Sequence, residues 1–360
     1  MSGLALARRF YQRVVGPLLG GNLHGAALLG DGSEVLGYDD SVSTDHDFGP
    51  RVQIFLPEHA DAAKIHLLLR GLPRTFEGFP VIFVDADHDG GAPQHQVEVT
   101  TAEAFFTQRL GVDPANGMSV AEWLLTPTQR LASLTAGAVF QDPDGALTRR
   151  RDALRWYPDD IWRYALAAAW LRIGQEEAFV GRAGGSGDDL GSRIVAARLS
   201  RELVRLGFLV ERRWAPYSKW LGHGFADLRV SGSLGSLLAT VLAEARWRER
   251  EHALCCAARL LAAATNRLGL CEPVDPEPRP FHNRDIQVIG AERFTVALAG
   301  AITDPELQAV LTRLGHRRGG DVGVLPGTID QAIDSTDVLC DPRRCRTAAA
   351  TLGLGAIDAA

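Results

Sequence analysis

The sequence has few of the features that assign a chain to a common functional class. Its five cysteines include no C-x-x-C pair, which argues against a cysteine-rich zinc module or a disulfide framework, so we expect reduced thiols. No apolar run approaches the roughly 18 residues that a membrane-spanning helix needs. Acidic residues outnumber basic ones by 44 to 38, and the formal net charge is -6. Because nucleic-acid-binding domains usually carry a basic excess, this charge argues against a nucleic acid as the main partner.

Lysine is nearly absent from the sequence. Only Lys64 and Lys219 occur among the 38 basic residues. A chain that uses arginine at almost every basic position is expected to retain a lysine where a compact ammonium group is needed rather than a planar guanidinium. This reasoning makes Lys219, in the aromatic segment "WAPYSKWLG" (214–222), a candidate functional residue.

The first 21 residues are basic and apolar, but their pattern does not fit a signal peptide. Arg8, Arg9 and Arg13 interrupt the apolar residues, and no A-x-A cleavage site follows. We therefore predict an amphipathic helix that packs on the adjoining domain. We also predict a cytoplasmic protein that does not enter a membrane.

Apolar patterns predict an α+β protein with two domains. Residues 1–118 alternate strand and helix signals, which predicts a small α/β domain with a short mixed sheet. From Ser119 the apolar spacing is close to 3.6 residues, which predicts an all-α helical bundle over residues 119–318, with 119–140 as its first helical stretch. Residues 319–360 are rich in Gly, Asp and Ala and are predicted to form a C-terminal surface tail.

Three carboxylates are predicted to converge on a metal site. Asp45 and Asp47 precede the strand pattern of residues 51–57, and residues two apart on an extended chain face the same way. A hard cation such as Mg²⁺ would offset their repulsion, since it binds carboxylates and leaves its other positions to water and phosphate. Glu98 lies between two valines that are expected to face the core. It therefore points to the opposite side and joins the pair if the two strands are neighbours.

A Gly-Ser pair provides a candidate phosphate site. The apolar run 25–30 leads into "GDGSE" and is predicted to turn into a helix at Gly32 and Ser33. Such a turn exposes backbone N–H groups and a hydroxyl at the start of a helix, where phosphate groups bind. Arg51 and Arg182 are further candidates for phosphate contacts.

The order of these motifs resembles a known superfamily. A strand, Gly-Ser, about ten residues, Asp-x-Asp and then a lone acid between apolar residues is similar to the DNA polymerase β-type nucleotidyltransferases. Within that superfamily, "GSEVLGYDDSVSTDHDFGPRV", "HQVEVTT" and "APYSKWLG" resemble the bacterial family DUF4037, over about residues 20–310. The layout is similar to aminoglycoside nucleotidyltransferases, which pair such an α/β core with a helical domain.

The resemblance implies a role for each candidate residue. Gly32 and Ser33 would hold the triphosphate of ATP or another nucleoside triphosphate, Asp45 and Asp47 would bind two Mg²⁺ ions, and Glu98 would bind the second ion and act as, or position, the general base. The helical domain would select a small-molecule acceptor docked between the domains and contribute Lys219 against the triphosphate. The acids Asp39 and Asp40 depart from the pattern, because many relatives are basic or neutral there.

Two other functions stay open on the sequence. The chain could be a nucleotide-binding module of the same fold that does little chemistry, although a degenerate site has no reason to keep mutually repelling carboxylates. Transfer onto a protein or RNA is the second alternative, and the acidic composition argues against RNA.

Two local patterns are interpreted as loops. "DADHDGG" (85–91) begins like a Ca²⁺-binding loop but has Gln96 where that loop needs a glutamate, which predicts a polar loop. The glycine-rich segment 181–193 predicts a flexible loop between helices, with Ser192 capping the next helix.

Overall fold

The computed structural model describes residues 2–39, 49–83, 94–315 and 323–355. They divide into two compact units. The first, which we call the sheet unit, consists of Met1–Met118 and Arg130–Arg155, and the second, the helical unit, consists of Ser119–Gln129 and Trp156–Ala360. The predicted α+β class is confirmed, because a small mixed sheet lies in the N-terminal part and helices dominate the rest.

The first 155 residues contain the strands of the main sheet and the helices that cover it. The α6 helix belongs to the helical unit, and α7 begins in that unit and continues in the sheet unit. In chain order the elements are α1 (Gly3–Phe10), α2 (Gly16–Leu19), β1 (Gly25–Leu28), α3 (Ser33–Leu36), β2 (Val52–Phe55), α4 (Ala62–Leu69), β3 (Thr75–Phe76), β4 (Phe79–Pro80), β5 (Ile82–Phe83), β6 (Gln94–His95), β7 (Val97–Thr100), α5 (Ala102–Leu110), α6 (Val120–Leu125), α7 (Thr128–Thr135), β8 (Ala138–Gln141) and α8 (Ala146–Ala153).

The rest of the described chain is mainly helical, with one short pair of strands. Its elements are α9 (Asp159–Glu176), α10 (Phe179–Gly185), α11 (Asp189–Val210), α12 (Ser218–Ala226), α13 (Ser231–Ala243), α14 (Trp247–Arg267), β9 (Arg279–Pro280), β10 (Gln287–Val288), α15 (Glu292–Gly300), α16 (Pro305–Arg313), α17 (Ile329–Ala332), α18 (Thr336–Leu339) and α19 (Pro342–Thr347). The β9 and β10 strands pair antiparallel beside α14. No helix among the residues given above is long and apolar enough to cross a membrane.

The main sheet has the strand order β7-β2-β1-β8. The β1 strand is antiparallel to both β2 and β8, whereas β2 is parallel to β7. Parallel pairing brings Gln53 opposite Glu98. Consequently β1 ends where β2 and β7 begin.

The β8 strand corrects the prediction that residues 119–140 are helical. Residues Ala138–Gln141 pair with β1 as an outer strand of the sheet. Gly137 has a φ of 66°, and a side chain there would collide with the carbonyl of Leu28. The chain therefore leaves the helix at a position that only glycine fits well, and the short apolar run that follows completes a sheet begun more than a hundred residues earlier.

Each face of the sheet is covered by helices. The predicted amphipathic N-terminal helix is confirmed, because α1 buries Leu6 and Phe10 and has arginines in its last turn. Phe10 joins Val52, Ile54 and Val97 in one core cluster, and fully burying such a side chain stabilises the fold by about 1.5–3 kcal/mol. On the opposite face Phe55 packs edge-on against Phe105 of α5, with ring centroids 5.2 Å apart.

The helical unit is built around α9. This helix buries residues on all sides, including Trp162 and Trp170, and the Trp170 ring stacks on Phe294 of α15 at 4.7 Å. The predicted loop over residues 181–193 is mostly helical, since α10 extends to Gly185 and α11 begins at Asp189, and the predicted cap at Ser192 is also wrong. Asp188 caps α11 by accepting the Gly191 N–H at 2.8 Å, while the buried hydroxyl of Ser192 donates to the Val180 carbonyl at 2.9 Å.

The C-terminal residues 323–355 contain α17, α18 and α19. Composition assigned this segment to the surface, yet Ile329 and Leu352 are fully buried. A few apolar side chains at well-spaced positions are enough to pack the segment on the helical unit, and the abundance of Gly, Asp and Ala around them conceals that signal.

Candidate functional site

One end of the main sheet carries the predicted phosphate-binding residues Gly32, Ser33 and Arg51 together with the predicted acid Glu98. Because β1 runs antiparallel to β2, and β2 runs parallel to β7, the residues after β1 lie at the same end as the residues that begin β2 and β7. This end, with Gly32, Ser33, Arg51 and Glu98, is called the candidate site below. It lies entirely within the sheet unit.

Gly32 and Ser33 form the predicted turn into a helix. Gly32 is the N-cap of α3 with φ 138° and ψ 139°, and a side chain there would collide with the Arg51 guanidinium and the Glu34 carboxylate. The backbone conformation therefore favours glycine, whereas the two colliding groups are the ends of side chains that could move aside. Within the described part of the chain, the hydroxyl of Ser33 and the N–H groups of Ser33 and Glu34 have no hydrogen-bond partner. These groups are available to a ligand.

Arg51, directly before β2, is hydrogen-bonded to this turn. Its Nε donates to Glu34 Oε1 at 2.6 Å, and its Nη2 donates to the carbonyl of Asp31. Arg51 thus lies beside Gly32, and its role as a phosphate contact stays a prediction. Its charge is already compensated by Glu34, so a phosphate group would share this guanidinium with a carboxylate.

The direction and strand position of Glu98 follow the prediction. Val97 is buried in the core cluster and Val99 packs against it, while Glu98 points to the opposite face with its side chain 38% exposed. The predicted neighbour relation is also confirmed, since β7 pairs with β2. Its role in binding metal or in proton transfer stays a prediction.

Arg109 is the main residue that sequence reasoning missed. Its Nη2 lies 3.5 Å from Glu98 Oε2, and its guanidinium carbon lies 3.6 Å from the centre of the Phe105 ring. Burial lowers the pKa of Arg109, and the charges of Glu98 and Asp31 oppose that shift. The four-residue spacing of Phe105 and Arg109 on a helix was the available signal. The contact with Glu98 joins a helix to a strand and has no local signature.

Gln53 is a second residue that the sequence did not single out. Its side-chain oxygen accepts the Leu29 N–H at 2.9 Å, and its side-chain nitrogen donates to the Leu29 carbonyl at 3.1 Å. The pair satisfies both backbone groups of the residue just after β1, which fixes the path of the chain into Gly32. A buried polar residue within the apolar run "VQIF" was the signal for this anchoring role.

The metal prediction rests mainly on residues outside those that the structure describes. The described residues do not include Asp40, Asp45, Asp47 or the 85–91 loop. The roles assigned to them stay predictions. Among the residues that are described, no group of three or more His, Cys, Asp or Glu side chains could hold a metal ion. Glu98 is the predicted ligand whose position is known.

Lys219 and Arg182 lie in the helical unit. Lys219 is exposed on α12, with its Nζ 4.9 Å from the centre of the Trp220 ring. Arg182 is exposed on α10, with its guanidinium 5.4 Å from the Phe179 ring. Both cations stack on aromatic rings of their own helices, and both phosphate roles stay predictions.

These features define an α+β protein whose mixed sheet presents a Gly-Ser turn and a carboxylate at one end. Residues 123–221 match the family described as "Domain of unknown function (DUF4037)", so the resemblance to DUF4037 is confirmed over that segment. The segment includes Arg182 and Lys219 but none of the candidate-site residues.

Comparisons over the whole chain give little more. No curated protein matches it. A nucleotidyltransferase-like protein from Exiguobacterium sibiricum 255-15 has a solved structure that is similar at 13% sequence identity and a TM-score of 0.32, over 86% of this chain and 92% of that one. A similarity at this level carries no conclusion about fold or activity.

Proposed function

We propose that the protein is a nucleotidyltransferase that moves a nucleoside monophosphate from a nucleoside triphosphate, with ATP as the expected donor, to a hydroxyl of a small-molecule acceptor. The observation that carries this proposal is that the Gly32–Ser33 helix start and Glu98 lie at the same end of the sheet. Chemistry at a triphosphate needs donors for the phosphates and a carboxylate near the reacting oxygen.

The proposed reaction is an in-line displacement at the α-phosphorus. The acceptor oxygen forms a bond to that phosphorus, the bond to the β-phosphate bridging oxygen breaks, and pyrophosphate leaves with the electron pair. Glu98 takes, or directs the transfer of, the proton of the acceptor hydroxyl. The N–H groups of Ser33 and Glu34 and the Ser33 hydroxyl bind triphosphate oxygens, and Arg51 lies beside them.

The residue types suit magnesium as the cofactor. Carboxylate oxygens are ligands that Mg²⁺ prefers, and Glu98 would contribute one such group, with Asp45 and Asp47 as the predicted others. Two bound ions would activate the acceptor hydroxyl and neutralise charge on the leaving pyrophosphate. Arg109 compensates the charge of Glu98 within the chain itself.

A nucleotidyl-transfer assay tests the proposal directly. The full chain is incubated with ATP, Mg²⁺ and a metabolite extract of low molecular mass, and products are screened for the mass gain of adenosine monophosphate together with released pyrophosphate. Glu98→Gln should abolish turnover while ATP binding changes little, because the amide cannot accept the proton. Glu103→Gln, an exposed glutamate of α5, is the matched control and should keep full activity. Failure of ATP with Mg²⁺ to bind in a calorimetric titration would contradict the proposal.

A second candidate function is nucleotide binding with little chemistry. The Arg51–Glu34 pair at the helix start and the Arg109–Glu98 pair favour it, because each carboxylate is already compensated by a cation of the chain. ATP binding without transfer to any component of the extract would favour this function over the first.

A further inference from the structure

The helical unit contains a recess to which no candidate-site residue contributes. It is open to solvent and is lined by residues of α7, α9, α11 and α17 and of the segments that precede α9 and follow α11. The residues that matter here are Tyr157, Arg205, Phe208, Arg213, Trp214 and Asp330. All belong to one unit, so the recess is complete without the sheet unit.

One wall of the recess is a fixed aromatic cluster. The Trp214 ring stacks on Trp156 with centroids 4.4 Å apart and meets Tyr157 edge-on at 4.5 Å. Trp214 and Tyr157 are both buried. Rings held on several sides lose little conformational entropy when a ligand packs against them, so this wall suits a flat apolar molecule.

The segment that carries Trp214 begins with an unusual backbone turn. Arg212 has a φ of 54°, a left-handed conformation that a helix end normally gives to glycine. The Arg212 and Arg213 N–H groups donate back to the carbonyls of Leu209 and Phe208 at 3.4 and 3.0 Å. The turn directs the chain sharply from the end of α11 into the recess wall, and it does so with arginines at both positions.

The carboxylates of the recess are already satisfied. Asp330 accepts the Thr128 N–H at 2.9 Å, and the Thr128 hydroxyl lies 3.3 Å from Asp330 and 3.0 Å from the Ala215 carbonyl, to either of which it can donate. Glu202 accepts Nε and Nη2 of Arg172 at 3.2 and 3.4 Å. A cationic ligand would therefore have to displace bonds within the protein.

The cations of the recess have donors to spare. Among the described residues Arg205 donates one hydrogen bond, from Nη1 to the Asp330 carbonyl at 3.0 Å, although a guanidinium can make five. Arg213 is exposed, and its guanidinium pairs with no side chain or carbonyl in the described part of the molecule. The buried Tyr157 hydroxyl lies near the Thr328 side chain but makes no well-formed hydrogen bond in that part of the molecule.

We propose that this recess is a binding site for a planar aromatic carboxylate, with its ring against Trp214 and its carboxylate between Arg213, Arg205 and the Tyr157 hydroxyl. Guanidinium groups recognise carboxylates through paired N–H donors, and the aromatic wall supplies the apolar contact. The proposal does not depend on the transfer reaction, because the site is defined by the helical unit alone.

Three probes with the same indole ring and different charges separate the contribution of ligand charge to binding from that of ring shape. The full chain is titrated by calorimetry with indole-3-acetate, indole and tryptamine, which carry a negative, no and a positive charge. Indole-3-acetate should bind most tightly and tryptamine least. Arg213→Gln should weaken indole-3-acetate about tenfold, since one charge-assisted hydrogen bond is lost, and leave indole unchanged. Arg267→Gln, at an exposed position on α14 away from the recess, is the matched control and should change neither.

Tyr157→Phe gives an independent readout. It keeps the ring in the aromatic wall and removes the hydroxyl, so indole-3-acetate should bind more weakly while the melting temperature stays level or rises. A purely structural hydroxyl would instead lower the melting temperature and leave binding unchanged. Equal affinity for the three probes, tighter binding of tryptamine, binding of none of them at millimolar concentration, or equal losses in Arg213→Gln and Arg267→Gln would overturn the proposal.

Discussion

Replacing Arg109 by methionine should alter cation binding and anion binding in opposite directions. Methionine retains an apolar stem that can pack on Phe105, but it removes the guanidinium that lies 3.5 Å from Glu98. If Glu98 binds Mg²⁺ as proposed, the ion no longer has to compete with an adjacent positive charge. The triphosphate, in contrast, loses a cation close to the helix start at Gly32.

The size of the effect follows from the geometry. Two unit charges 3.5 Å apart interact by about 1 kcal/mol in a water-like dielectric, which is appropriate because the Glu98 side chain is 38% exposed. That energy corresponds to a five- to tenfold change in affinity, at about 1.4 kcal/mol per decade. Stability should change less, since exposed ion pairs contribute about 0.2–1 kcal/mol and the contact with Phe105 about 0.5–1 kcal/mol.

Calorimetric titration of Mg²⁺ into the nucleotide-free protein measures the first effect, and titration of ATP without metal measures the second. Arg149→Met removes the same charge from an exposed position on α8 and controls for the change in net charge. Magnesium affinity that is unchanged or weaker in Arg109→Met would refute the assignment of Glu98 as a metal ligand. An equal gain in Arg149→Met would show that only the overall charge had changed.

Three further predictions address stability, pH and the helical unit. Arg150 donates Nε and Nη2 to the buried Asp113 carboxylate at 2.8 and 2.7 Å, so Arg150→Met should lower the free energy of unfolding in urea by about 3–5 kcal/mol, and a loss below about 1 kcal/mol would show that the pair is not desolvated. Burial raises the pKa of Glu177 to about 7, above its ordinary 4.5, against three backbone N–H groups that lower it, so its contribution to stability is complete below pH 4.5 and is lost as the pH rises through 7. Between these pH values the unfolding free energy of the wild type should fall relative to Glu177→Gln by about 3 kcal/mol, and parallel profiles would contradict the shift. Lys219→Ala should slow pyrophosphate release about ten- to a hundredfold and Lys219→Arg should recover part of that loss, whereas equal rates at subsaturating ATP would remove Lys219 from the proposed reaction.

Local patterns predicted much of the candidate site. Alternation along "VEV" was enough to send Glu98 away from the core, because the flanking valines bury the other face whichever strand lies beside them. The turn at Gly32 was also predictable, because two closely spaced glycines after an apolar run are typical of a turn. Both features depend on residues that are adjacent in sequence.

Contacts between distant segments were not predictable in this way. The pairing of Arg109 with Glu98 depends on how α5 packs across the sheet, and the position of Arg51 beside Gly32 depends on the register of β1 with β2. The β8 strand was hidden because a four-residue apolar run after a helix resembles the end of that helix until a partner strand is known. The roles of Asp45 and Asp47 are still predictions from sequence.

The pairing of β1 with β8 also constrains how the chain folds as it is synthesised. Leu28 pairs with Ala138, so β1 leaves the ribosome long before its second neighbour exists. Until then one side of β1 presents unpaired N–H and C=O groups to solvent, which is the surface that promotes pairing with a foreign strand. A nascent chain that stalls or is cut after Met118 would keep that surface open and be prone to aggregate. The sheet is complete only once Ser119–Gln129, a segment of the other unit, has been made as well.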